Sequence, residues 1–215
     1  MMSARNRILA GIRDAQAHAR PGNRTDEIAR HLARHPRGPM PPPPDDLVAC
    51  FSERALKLSS DVLNSGNLSQ VPLLLARYLN ERRLPMRGVC WTSLAGLQWH
   101  DAGLEIQSRP ARDGDLVGIT GTFCAIAETG TLMMLSGAET PAATSLLPET
   151  HVAVVNPRRI VATMEDAWDL MRKECKQPPR AVNFISGPSR TADIEQTVTL
   201  GAHGPYRVLL ILAPL

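Results

Sequence analysis

Polar side chains crowd into residues 187–195, directly after an apolar run that predicts a buried strand. An arginine in such a segment can clamp a carboxylate or a phosphate with two parallel N–H donors, and a Gly-Pro pair can fix the turn that presents it. This chemistry predicts an anion-binding loop. Its candidate ligand-binding residues are Gly187, Pro188, Ser189, Arg190, Thr191, Asp193 and Glu195. The alternative, compatible with the first, is a helix start capped by Ser189 or Thr191, with Asp193 and Glu195 complementing the helix dipole.

Three further glycine-containing segments adjoin apolar runs. In an open α/β sheet, loops at the carboxyl ends of strands form the ligand crevice, and glycine lets backbone N–H groups approach an anion. Residues 127–131 supply the candidates Glu128, Thr129, Gly130 and Thr131, unless they form only a hairpin turn with a positive φ at Gly130. Residues 118–122 lack the lysine of a phosphate-binding loop and a full G-x-G-x-x-G motif, so a plain turn is favoured there. In residues 201–205, His203 is either a proton donor or a turn histidine bonded to the backbone.

The cysteines and histidines do not predict a metal site on this chain. The four cysteines are far apart in sequence, without a C-x-x-C or C-x-x-H pair, and the six histidines show no H-E-x-x-H pattern. We therefore expect small, buried, non-catalytic cysteines at positions 50, 90, 124 and 175.

Alternating apolar runs and amphipathic stretches must position these loops. A helix capped by Asp45 or Asp46 is predicted to run to about residue 64, with Leu58 and Val62 on its apolar stripe. A second helix begins near Ser69. The predicted strands cover residues 88–92, 104–106, 116–119, 123–127, 131–135, 152–155, 181–185 and 207–212, and Thr163 caps a helix between the sixth and seventh of them. This order predicts an α/β domain with a mostly parallel sheet covered on both faces.

Residues 1–44 are predicted to form a basic, helical N-terminal arm with a proline-rich linker, ahead of an α/β domain over residues 45–215. Residues 1–39 hold eight arginines and three carboxylates, a net charge of +5, so the remainder carries −2 of the total of +3. The arm contains no aromatic residue that could stack on a base, and no DNA- or RNA-binding motif follows. We expect a solvated or protein-contacting arm, without nucleic acid as a partner.

No apolar run of this sequence approaches the roughly 18 residues that cross a bilayer. The N-terminus has only a short apolar patch, interrupted by Arg13 and Asp14, in place of a secretory h-region. The expected compartment is the cytoplasm, without a membrane partner.

Four strings of residues resemble the lactate-utilisation protein C family, the LUD-domain proteins. They are Ala127–Leu132, Ser145–Pro148, Ile185–Glu195 and Gly201–Pro205, within a resemblance that spans roughly residues 85–215. The resemblance implies a three-layer αβα fold like those of glucosamine-6-phosphate deaminase, ribose-5-phosphate isomerase and CoA transferases. It also implies a bacterial cytoplasmic accessory protein of a system that oxidises L-lactate to pyruvate, with iron–sulfur clusters on partner proteins and no cofactor on this chain.

The resemblance transfers no proven catalytic residue, and whether the chain is an enzyme stays open. Residues 1–44 lie outside it, and Pro141–Thr144 stand where family members carry an arginine. Our leading hypothesis is an accessory subunit of lactate oxidation. One alternative is a CoA-transferase-like enzyme acting on a small carboxylate, with Glu128 as the candidate nucleophile. The other is binding of a nucleotide or sugar phosphate, as a small anionic ligand, by the glycine loops and Arg190.

Overall fold

The computed structural model describes residues 3–17, 24–40, 42–191 and 199–214, and the chain divides into two compact units, residues 1–41 and 42–215. The first unit contains helices α1 (Ala4–Ala17) and α2 (Arg24–Arg34). Asp26 and Glu27 lie in the first turn of α2, where the helix dipole favours negative charge.

The second unit alternates strands and helices. Its first half comprises α3 (Leu47–Lys57), β1 (Asp61–Asn64), α4 (Val71–Glu81), β2 (Arg87–Cys90), β3 (Glu105–Ser108), β4 (Val117–Thr120), β5 (Cys124–Ile126) and β6 (Thr131–Leu135). Its second half comprises α5 (Ala143–Leu146), β7 (Thr150–Val155), β8 (Ile160–Val161), α6 (Met164–Glu174), β9 (Val182–Ile185), β10 (Arg190–Thr191), β11 (Thr199–Leu200) and β12 (Arg207–Leu212). Within the described ranges, no helix is long and apolar enough to span a bilayer.

The main sheet contains six parallel strands in the order β1-β12-β7-β4-β2-β3. Its central strands β4 and β7 are buried along their whole length, because parallel strands of this kind are covered on both faces. Helix α4 packs on one face through residues such as Leu75 and Leu79, and α3 packs on the other through Phe51 and Ala55. The predicted α/β fold with a mostly parallel sheet and helices on both sides is confirmed.

A second sheet joins α3 on its face of the main sheet, and the sequence pattern did not reveal it. Its strands have the order β8-β5-β6-β9, and β6 is antiparallel to both β5 and β9. Helix α6 packs against β5 and β6 through Ala167 and Met171. The apolar runs that form β5 and β6 were expected in the main sheet, because hydrophobicity predicts a buried strand without specifying its partners.

Helix α3 is shorter than its apolar stripe predicted. Asp46 caps it by accepting hydrogen bonds from the Val48 and Ala49 amides, both 2.9 Å. The helix ends at Lys57, and Ser59 takes a left-handed backbone conformation with φ of 67°. Val62, predicted on the helix, lies in β1 and pairs with Leu210 of β12. The helical prediction for residues 58–64 is therefore wrong, since pairing with β12 outweighs a local apolar spacing that also fits a helix.

Candidate functional site

A cavity of about 300 Å³ opens at the carboxyl ends of β2 and β4. From β2 the chain continues to β3 on one side, whereas from β4 it leads to β7 on the other, so these two neighbours mark the point where the strand order reverses. Ligands of open α/β sheets bind at such switch points. The cavity is lined by Trp91, Ser93, Leu94, Gly121, Thr122, Phe123, Leu135, Thr140 and Val154.

Trp91 forms one wall of this cavity directly after β2. Its backbone amide donates to the Ile119 carbonyl at 3.0 Å, and its indole Nε1 donates to the Pro141 carbonyl at 3.2 Å. The residue is only 4% exposed. Because both the backbone and the ring nitrogen are tied to neighbouring segments, the indole is held in one orientation.

Phe123 forms a second wall and is held by Arg159. The guanidinium carbon lies 4.8 Å from the centre of the phenyl ring, and Arg159 Nε donates to the Phe123 carbonyl. The two terminal nitrogens of Arg159 donate to the two Glu174 oxygens at 3.1 and 2.8 Å. This pairing lowers the pKa of Glu174. It also fixes the Arg159 guanidinium in its position against Phe123.

The lining of the cavity is apolar with a few hydroxyl groups and no charged side chain. Thr140 Oγ1 donates to the Leu135 carbonyl at 2.7 Å. The hydroxyls of Ser93 and Thr122 make no hydrogen bond to another residue of the described ranges. An apolar pocket with a few directional polar groups is the usual form of a small-ligand site.

The predicted segment 127–131 forms the turn between β5 and β6. Gly130 has φ of 65° and its amide donates to the Ile126 carbonyl at 2.9 Å, so the segment forms a hairpin turn, and its role in binding stays a prediction. The carboxylate of Glu128 accepts a hydrogen bond from the Met164 amide, the first residue of α6, at 2.8 Å. Glu128 is half-buried and Thr129 is exposed. The carboxylate thus caps a helix, in addition to any role in binding.

Segments 127–131 and 186–190 meet at the second half of α3. Thr131 and Ser186 share a hydrogen bond between their hydroxyls of 2.7 Å. A Cβ on Gly130 would lie 2.6 Å from the Ala55 nitrogen, and one on Gly187 would lie 2.3 Å from the Leu58 carbonyl oxygen. Both glycines therefore permit a close approach of their loops to α3.

The Gly187–Ser189 and Gly201–Pro205 segments are joined by backbone hydrogen bonds. The Ser189 amide donates to the Pro205 carbonyl, and the Gly201 amide donates to the Ser189 carbonyl, both at 2.9 Å. Pro188 is half-buried and His203 is exposed. Because Pro205 leads into the first residue of β12, this pair of segments adjoins the amino end of the main sheet, the end opposite the cavity.

Arg190 and Thr191 form the short strand β10, in which Arg190 pairs with Leu200 and Thr191 with Thr199. The guanidinium of Arg190 donates to the Ser59 hydroxyl and approaches the Leu58 carbonyl at 3.5 Å. A cation is favoured at the carboxyl end of α3 because the helix dipole is negative there. Because residues 190 and 191 are a strand, the prediction that Ser189 caps a helix is wrong. A helix start after Thr191 lies outside the described residues, as do the predicted site residues Asp193 and Glu195.

The cavity residues were not among the site residues predicted from the sequence. The available signal was the polar segment 118–122 after a buried strand, for which a plain turn was favoured. Gly118 does serve packing, since a Cβ there would lie 2.0 Å from the Thr144 carbonyl oxygen. Gly121 and Thr122 instead line the cavity. Trp91 and Phe123 were parts of apolar runs that predicted only strands.

A fully buried histidine lies one strand from the cavity. His151 in β7 shares a hydrogen bond of 2.8 Å between its Nε2 and the hydroxyl of Thr120, the last residue of β4. Its Nδ1 has no partner among the described residues. Burial lowers the pKa of His151 to about 4, because the charged imidazolium loses its hydration.

The cysteines are all unpaired thiols, and Cys90 and Cys124 are buried. Burial raises the pKa of each of these two thiols to about 11, so neither forms a reactive thiolate near neutral pH. Within the described part of the chain, no group of three or more His, Cys, Asp or Glu side chains is arranged to hold a metal ion.

Comparison with known proteins gives family and fold matches. The model of the LUD domain matches residues 97–213. A protein of Bacillus subtilis named "Lactate utilization protein C" is 38% identical over 193 residues, which cover 78% of each chain. "Lactate utilization protein C 1" of Bacillus mycoides is 34% identical over 145 residues, 64% of this chain and 62% of that protein. A crystal structure of a DUF162 family protein from Deinococcus radiodurans superimposes with a TM-score of 0.59 at 22% identity, over 78% of this chain and 96% of that one.

Proposed function

Because the chain belongs to the LUD domain family, we propose that it is an accessory subunit of a cytoplasmic bacterial system that oxidises L-lactate to pyruvate. In this proposal the electrons of lactate pass to iron–sulfur clusters on partner proteins. The observation that carries the role is the 38% identity to the Bacillus subtilis protein named for lactate utilisation, over 78% of both chains.

The chemistry of the cavity supports an accessory role over catalysis of lactate oxidation on this chain. A carboxylate that leaves water requires a cation or several N–H donors to replace its hydration. The residues around the cavity supply hydroxyls and apolar surface instead. Arg159 contacts Phe123 in the cavity wall, but its guanidinium is already paired with the Glu174 carboxylate. We therefore assign the binding and oxidation of lactate to the partner proteins.

The alternative of acyl transfer through Glu128 receives less support from the geometry. A nucleophilic glutamate must present a free carboxylate oxygen to the acyl group. Here one carboxylate oxygen of Glu128 is held 2.8 Å from the Met164 amide at the start of α6. The contact engages Oε1 alone and therefore does not block the second oxygen, but it gives the glutamate a structural role that requires no reaction.

Complementation tests the proposed role. A Bacillus subtilis strain that lacks its Lactate utilization protein C is supplied with this chain carrying an affinity tag, and growth on L-lactate is measured beside growth on glucose. We expect growth on L-lactate to return, and iron–sulfur proteins to be retained with the tagged chain. Full expression without restored growth and without such a partner would refute the proposal.

A further inference from the structure

We propose that the cavity at the carboxyl ends of β2 and β4 binds a planar, uncharged heteroaromatic ring, of which a nucleoside base is the model. This inference does not depend on the role in lactate utilisation, because it rests on the chemistry of the cavity lining alone. It assigns to the chain a small-molecule site of its own.

The lining contains no cationic side chain, which excludes small anions as preferred ligands. The nine residues that surround the cavity include no lysine, arginine or histidine. Burying a carboxylate or a phosphate against such a surface removes its hydration without a compensating charge, which costs far more than the burial of a neutral group. The preferred ligand is therefore uncharged in the part that enters the cavity.

The walls favour a flat ring. Phe123 is half-buried and offers an aromatic surface on which a ring can stack, whereas Trp91, only 4% exposed, borders the cavity with a small part of its indole. Both walls are fixed before any ligand arrives, Trp91 by its hydrogen bond to Pro141 and Phe123 by Arg159. Binding then requires little ordering of these side chains, and a preorganised site loses less affinity to ordering. A Cβ on Gly121 would lie 3.9 Å from Trp91 Cε3 with no nearer atom, so this glycine lies beside the indole and a larger side chain there would enter the cavity.

The hydroxyls favour a heterocycle over an alkyl chain. Ser93 and Thr122 line the cavity and have no hydrogen-bond partner within the described ranges. The ring nitrogens and carbonyls of a heterocycle can pair with these hydroxyls, whereas an alkyl group offers them no hydrogen-bond partner. The volume of about 300 Å³ is at the small end of ligand sites and suits one or two fused rings.

Tryptophan fluorescence tests this site directly, because Trp91 lies in its wall. In a Trp99→Phe/Trp168→Phe background Trp91 is the sole indole. Adenosine, thymidine, nicotinamide and lumichrome are titrated into this variant, and binding is followed by the quenching of Trp91 fluorescence. The shift in Tm of the parent chain is the second readout. We expect at least one of the four to bind in both assays, and L-lactate, pyruvate and inorganic phosphate to bind in neither.

Substitution of Gly121 locates the binding. Gly121→Val places a branched side chain beside Trp91, and we expect it to abolish quenching and the Tm shift. The matched control is Gly96→Val, at an exposed glycine with no atom within 4 Å of its Cβ position; this variant should bind as the parent does. If Gly121→Val does not fold, Thr122→Val takes its place, with binding weakened up to about tenfold by the loss of one hydrogen bond.

Three results would overturn the proposal. They are a panel in which none of the four compounds binds, binding of a compound that is unchanged in both the Gly121 and Thr122 variants, and quenching of Trp91 by lactate, pyruvate or phosphate at the concentration that saturates a ring compound.

Discussion

The guanidinium of Arg190 donates a hydrogen bond to the hydroxyl of Ser59, which lies 131 residues earlier in the chain. The contact ties the loop after β9 to the carboxyl end of α3, just before β1. Arg190, the arginine of the polar segment 187–195, therefore has a structural partner in Ser59. Both contacts to the carboxyl end of α3, with the Ser59 hydroxyl and the Leu58 carbonyl, use Nη2 of Arg190.

Paired substitutions separate the two roles of Arg190. Ser59→Ala removes the contact and keeps the arginine, whereas Arg190→Ala removes both. Because Arg190 is exposed, we expect each variant to lower the free energy of unfolding by no more than about 1 kcal/mol. Growth on L-lactate should be lost only with Arg190→Ala. Normal growth of that variant would assign Arg190 to structure alone.

Substitution of Glu128 should reveal its helix-capping role. Glu128→Ala removes the acceptor for the Met164 amide and a negative charge at the start of α6, so we expect a loss of about 1 kcal/mol in urea unfolding. Glu128→Gln keeps an acceptor oxygen and should lose less. Glu139→Ala, at an exposed loop carboxylate, is the control and should leave stability within about 0.5 kcal/mol of the parent.

A chemical trap tests acyl transfer by the same residue. The parent chain is incubated with an acyl-CoA and borohydride, which would convert a glutamyl thioester into a stable reduced product. We expect the peptide that contains Glu128 to remain unmodified by mass spectrometry. A reduced Glu128 would instead establish the transferase alternative.

Gly187 should tolerate no side chain. Its φ of 79° disfavours any residue with a Cβ, and that Cβ would lie 2.3 Å from the Leu58 carbonyl oxygen. We expect Gly187→Ala to lower the free energy of unfolding by about 2 kcal/mol or more. Gly96→Ala, where the added methyl meets no atom within 4 Å, should leave the Tm close to that of the parent. Equal Tm values for the two variants would contradict the packing described for this loop.

The buried His151 should make stability depend on pH. Its pKa is about 4 in the folded chain, below the ordinary value of 6.5, so between these values the unfolded chain binds a proton that the folded chain does not. The free energy of unfolding should therefore fall as the pH drops from 6.5 toward 4, by up to about 1.4 kcal/mol per pH unit.

The comparison for this pH dependence is His151→Gln, which cannot titrate. Asp115 and Glu174 also have lowered pKa values, and they contribute a loss of stability at acid pH in both proteins. The difference between the two slopes isolates the histidine. Parallel slopes between pH 6.5 and 5 would show that His151 is protonated in the folded chain or exchanges with water.

Local patterns in the sequence determined the fold class and most of its elements. The apolar runs over 152–155 and 207–212 predicted β7 and β12, the latter with the observed bounds. The capping residues Asp46 and Thr163 begin α3 and α6 as predicted. These features depend on the spacing of apolar residues and on hydrogen bonds between near neighbours in the chain, and both can be recognised in a short stretch of sequence.

Tertiary structure alone decided which strands share a sheet, where α3 ends and where the cavity lies. Val62 joins β1 because β12 offers it a partner almost 150 residues later, and β5 and β6 leave the main sheet to pair with β8 and β9. The cavity requires Trp91 and Phe123 to converge from separate strand ends. The free energy of such contacts comes from burial and pairing between distant segments, so it has no signature in the local pattern of either segment.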